Sequence, residues 1–174
     1  MKKFFIIFAV VGIALLLPSQ AEAQTKAFRN WYTNIADLVS TNRNYKNIST
    51  DVYFGKNSEL DKNNPETNGL QLYFNACLPN LQHSPSIDEF DTLASIACSR
   101  KYKMVMHSNE GDTTYDIFKG AQRKGLCEYL VIINKGKQEA VIYDFVGDIT
   151  SKDVLNLTGI KVRPKTVGLI GSGN

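Results

Sequence analysis

The chain has 174 residues, with 20 Lys or Arg against 17 Asp or Glu, a formal charge of +3 and three cysteines. A balance so close to neutral argues against nucleic acid or an anionic membrane surface as the partner, because both are bound through clustered positive charge. The basic clusters Arg100-Lys101-Tyr102-Lys103 and Lys161-Val162-Arg163-Pro164-Lys165 are short and read as solvated faces.

Met1-Lys2-Lys3 is a positive start, Phe4 to Leu17 is an unbroken apolar run of fourteen residues, and Pro18-Ser19-Gln20 leads into Ala21-Glu22-Ala23. Charge, apolar run and a small-x-small site in that order predict a secretory signal peptide over residues 1–23, cut after Ala23. As a helix the run would span only about 21 Å, short of a hydrocarbon core of about 30 Å. No cysteine stands near the cut, so no lipid anchor is expected, and no membrane anchor after cleavage. Removing 23 of 174 residues leaves 151, and losing Lys2, Lys3 and Glu22 lowers the charge from +3 to +2. That length suits one domain, set here at residues 24–159, followed by a tail, 160–174, without clear period. The expected setting is export: periplasm or secretion in a bacterium.

Phe28, Trp31, Tyr32, Ile35, Leu38 and Val39 fall on one stripe at helical spacing, predicting a helix from Lys26 to about Ser40. Ile48, Thr50, Val52 and Phe54 alternate with polar residues, and so do Leu70, Leu72, Phe74 and Ala76, giving two strands separated by an Asn-rich loop. Ser86-Ile87-Asp88-Glu89 has the S-x-x-E form of a capping box and opens a helix carrying Phe90, Leu93, Ala94, Ala97 and Cys98. From Tyr102 onward come four β-prone runs: about 103–107, Thr113 to Lys119, Leu126 to Ile133, and Glu139 to Val146. Short connections between them predict an antiparallel meander. Thr150 can cap a last helix that Gly159 stops, with Ile149 and Val154 at the two staple positions. The predicted fold is α+β: a mostly antiparallel sheet of about six strands, in the order α-β-β-α-β-β-β-β-α, with helices packed on one face.

Arg100 to Met106, Thr114 to Lys119, Tyr129-Leu130-Val131-Ile132-Ile133 and Phe145-Val146-Gly147-Asp148-Ile149 together resemble an exported Bacteroidetes domain family of unknown function. The resemblance covers about residues 28–158 and rests on hydrophobic pattern plus the Gly-Asp-Ile turn. It implies an exported α+β domain without assigned activity. Gly147 and Asp148 match a structural turn, and no functional residue carries over.

Three cysteines, Cys77, Cys98 and Cys127, enter an oxidising compartment. Their apolar neighbours favour three buried thiols, and a Cys77–Cys98 disulfide is the leading alternative. The sharpest enzyme reading is a small thiol-dependent enzyme or hydrolase pairing Cys127 with His107, but no local signature marks either partner. His83 lies in a polar loop, and no Cys or His pair has metal-ligand spacing, so neither a metal site nor a cofactor is expected. Asp88, Glu89 and Asp91 could form a carboxylate catalyst, yet their place in the first turn of a helix accounts for them. No catalytic residue is therefore assigned. Among the aromatics, Trp31, Tyr32, Phe54 and Phe145 fall mainly on core-facing phases, while Tyr53 and Tyr143 or its neighbours must face outward. The leading expectation is a non-enzymatic binding module that takes a protein or small ligand on its sheet face or an edge strand.

Overall fold

The computed structural model describes residues 23–54 and 69–160. The expected signal segment up to residue 22, the Asn-rich loop and the tail beyond Ile160 lie outside the described residues. Helix α1 spans Lys26–Thr41 and a 3-10 turn Arg43–Tyr45, followed by β1 Ser49–Phe54 and β2 Leu70–Pro79. Then come α2 Ser86–Ala97, β3 Lys103–Glu110, β4 Thr113–Lys119, β5 Cys127–Lys135, β6 Glu139–Gly147 and α3 Ser151–Thr158. All strand pairs are antiparallel, in the spatial order β1-β2-β6-β5-β4-β3. The four-stranded meander runs β3 to β6, and the β1–β2 hairpin adds to it through β2 against β6. This is the α+β architecture that the sequence periods predict.

Residues opposite one another across paired strands share a face, so the register sorts every side chain. Leu72, Phe74, Ala76 and Leu78 of β2 point the same way as Leu130 and Ile132 of β5 and Ile142 and Val146 of β6. Helices α1 and α2 cover this face with Phe28, Trp31, Tyr32, Ile35, Leu93 and Ala97, all buried. Phe28 and Tyr32 meet the Phe74 ring with centroids 6.1 and 4.6 Å away, both edge-on. Two polar atoms in the layer are tied down as well. The Trp31 indole donates to the Glu89 carbonyl at 3.2 Å, and the Tyr32 hydroxyl donates to the Asp51 carbonyl at 2.8 Å. Full burial of side chains of this kind stabilises by roughly 1.5–3 kcal/mol each, which makes the helix layer the main store of fold energy.

The third helix goes elsewhere. Val154 of α3, with Ile149 before it, packs with Tyr129, Val131 and Phe145, whose register puts them on the opposite face. The expectation of helices on one face therefore holds for α1 and α2, while α3 covers part of the other. Its local signals do what the sequence predicts. Thr150 accepts from the Asp153 N–H, the Asp153 carboxylate accepts from the Thr150 N–H, and Gly159 ends the helix at φ 68°.

The capping box expected at Ser86 is not formed. Ser86 is already helical, the N-cap is Pro85, and no side chain caps it. The Glu89 carboxylate instead accepts from the Tyr45 hydroxyl at 3.0 Å, and Ser84 bonds to Asp88. A tertiary partner for Glu89 outcompetes the local reciprocal pair.

Candidate functional site

The second face of the sheet is only partly covered, and its composition is unusual. Register places Tyr53, Tyr73, Phe145, Tyr129 and Lys119 in one continuous row across β1, β2, β6, β5 and β4. Tyr53 stacks on Tyr73 at 4.5 Å, and Tyr73 meets Phe145 at 5.6 Å. At the far end the Lys119 ammonium sits 5.6 Å from the centre of the Tyr129 ring. In the next row Tyr143 stacks on Phe145 at 5.7 Å and stands opposite Asn75. Helix α3 buries Tyr129 and Phe145, whereas Tyr73 and Tyr143 are half-buried and Tyr53 is 36% exposed. Burial, reinforced by Tyr53, Tyr143 and Asp51 nearby, pushes the Tyr73 hydroxyl up to about 12, and burial also raises Tyr143. These rings therefore stay neutral and offer stacking area and O–H donors. The Asn75 side-chain oxygen is buried between them without a hydrogen-bond partner. Buried acceptors are rarely left so.

A second cluster lies under the helices. Glu128 of β5 and Asp144 of β6 are both fully buried. They share the apolar phase of Leu130 and Ile142, since Glu128 stands opposite Val146 and Asp144 opposite Leu130. The segment just before α1 closes over them. The Thr25 backbone N–H donates to both Glu128 oxygens at 2.9 Å, the Thr25 hydroxyl at 2.6 Å, and the Tyr102 hydroxyl at 2.7 Å. The Gln24 amide donates to Asp144 Oδ2 at 2.6 Å. Asp144 Oδ1 and Gln24 Oε1 have no partner. Burial drives both carboxyls up, and at Asp144 the Glu128 charge adds to it, while bonds from Thr25 and Tyr102 restrain Glu128. Two carboxyls this buried and this close titrate as one pair that resists carrying two negative charges. Gly120 makes the close approach possible, because a Cβ there would overlap the Glu128 carboxylate. Just outside, Ala23, Thr25, Lys26, Arg29, Lys101 and Arg123 are among the residues that line a groove of about 590 Å³.

The sequence-derived candidates scatter. His107 is exposed on β3, its Nδ1 2.6 Å from Asp116, on the helix-side face. Cys127 is buried on the opposite face. Asp116 is level with Ile132, five residues along β5 from Cys127, which is about 17 Å of strand. The pair needed for a thiol enzyme is not assembled. All three cysteines are free, but only Cys127 is buried; Cys77 is half-buried and Cys98 exposed, which corrects the expectation of three buried thiols. Cys77 lies on the α3 side and Cys98 ends α2 on the other, so the sheet separates the alternative disulfide. His83 is exposed in its loop, and Asp88 and Asp91 are exposed on α2. Among the described residues no group of three or more His, Cys, Asp or Glu could hold a metal ion, and no helix is long and apolar enough to cross a membrane.

Sequence reasoning did not single out Glu128 and Asp144. The available signal was weak: each acid sits two residues from an apolar position, Leu130 or Ile142. Both strands are apolar on both phases, so alternation does not mark either acid as core-facing. Comparison with protein families, with curated proteins and with solved structures finds no match to this chain.

Proposed function

We propose that the chain is exported, loses residues 1–23, and serves in the cell envelope as a non-enzymatic binding module that takes a protein partner on its half-open tyrosine face. The observation that carries the reading is the row Tyr53-Tyr73-Phe145 beside Tyr143, with the Asn75 oxygen unpartnered among the rings. Tyrosine offers large, rigid, amphipathic contact area at low entropic cost, which is why it recurs in binding surfaces. A row of rings standing side by side across neighbouring strands gives a broad contact area of the kind a protein surface can cover. The separation of His107 from Cys127 weighs against the thiol-enzyme alternative. The signal-peptide pattern and the resemblance to an exported domain family support the export half of the reading.

The test is position-specific photocrosslinking in the source cells. A benzoyl-phenylalanine in place of Tyr53 is expected to give a discrete higher-mass adduct, and one in place of Thr92, exposed on α2, none. Equal adducts from both positions, or none from Tyr53, overturn the reading.

A further inference from the structure

The buried acid pair meets the main chain at the junction where the signal-peptide pattern cuts it. Ala23 and Gln24 are each only 4% exposed, so the junction is packed into the domain. The Gln24 nitrogen precedes the Thr25 nitrogen by one residue, and the latter is 2.9 Å from both Glu128 oxygens. Backbone dimensions then hold the Gln24 nitrogen within about 6.5 Å of that carboxylate. Every donor described around the pair is neutral: a side-chain amide, a backbone N–H and two hydroxyls. A buried negative charge is costly without an opposite charge. Two acceptors at the same spot, Asp144 Oδ1 and Gln24 Oε1, lack a donor.

We propose that the Glu128–Asp144 pair is the binding site for the α-ammonium group created at Gln24 when the leader is removed, an inference that rests on the export reading. Signal peptidase adds water across the Ala23–Gln24 bond. The carboxylate leaves with the leader, and the new amine on Gln24 carries the balancing proton. Before the cut the Gln24 nitrogen is an uncharged amide with one N–H; after it, three N–H donors and a positive charge stand beside the pair. A divalent cation is a poorer occupant, since the Glu128 oxygens already accept three donors and no third acid is present among the described residues. Leader removal thus adds a cation to an acid pair whose described donors are all neutral.

The test begins with the intact mass of protein isolated from its host, then acylation of the amine by N-hydroxysuccinimide acetate near pH 7. The expected mass starts at uncyclised Gln24. Its amine is expected to react at least about tenfold more slowly than in a peptide beginning Gln24-Thr25, since an exposed α-amine of ordinary pKa is readily acylated there. A chain begun at Gln24 should also melt roughly 5 °C above one begun at Met-Ala23. That gap should close when both carry Asp144→Asn with Glu128→Gln; if that variant does not fold, the acylation rate decides alone. A start elsewhere overturns the junction and the proposal together. A start at Gln24 with a freely reactive amine, or with Gln24 cyclised by loss of ammonia so that no cation remains, overturns the proposal and leaves the export reading standing.

Discussion

Both faces of the sheet meet aromatic rings, and they differ in what covers them. On the α1–α2 side the rings are locked against helices, and the fully buried carboxyls are an acid pair held by neutral donors. On the α3 side one short helix covers part of the face and leaves Tyr53 exposed and Tyr73 and Tyr143 half-buried. The first face spends its aromatic surface on stability; the second keeps part of it for contact.

The largest effect should separate the faces directly. Leu130→Ala, at a fully buried position under the helices, is expected to cost about 2–5 kcal/mol in urea unfolding. Tyr53→Ala should cost under about 1 kcal/mol while abolishing partner adducts at neighbouring positions. Equal costs would break the comparison. Next comes Glu128→Ala, which strands the Thr25 N–H, the Thr25 hydroxyl and the Tyr102 hydroxyl; a loss of about 3 kcal/mol is expected from unmade buried bonds.

The third prediction uses pH. In a chain that retains residue 23, the native state holds a proton on the acid pair that the unfolded chain releases near pH 4. Stability from this source is therefore greatest below pH 4 and falls as pH rises through the elevated folded values. A fall of at least about 1.4 kcal/mol between pH 4 and 8, the equivalent of one pKa unit, is expected by urea titration, and Asp144→Asn should flatten it. Asp153, held low by the Thr150 hydroxyl and N–H, acts with the opposite sign, its contribution being lost only as pH falls below the usual carboxylate range. The smallest effect sharpens the α3 side: Thr150→Ala should cost about 1 kcal/mol by removing that cap.

Much of this was legible in the residues. Period-two alternation located β2 to within its ends, because one of its faces is fully buried and the other only half. The Thr150–Asp153–Gly159 signals located α3 because a cap is a local interaction. What could not be read is tertiary. Cys127 to Ile132 are buried on both faces of β5, so no alternation marks Glu128 as core-facing. Which side α3 takes depends on how the chain leaves Gly147, not on the pattern of the helix. The Ser86 box failed for a similar reason, since Tyr45 lies far away in sequence and next to Glu89 in space.

Trp31 is the only tryptophan of the chain, wedged between α1 and α2 with its indole bonded to the Glu89 carbonyl. Its emission therefore watches the helix-covered face alone, while a reporter attached at Tyr53 would watch the other. One molecule can thus carry two separate gauges on opposite sides of a single sheet. Whether their unfolding curves coincide will tell if the contact face can loosen while the helix layer holds.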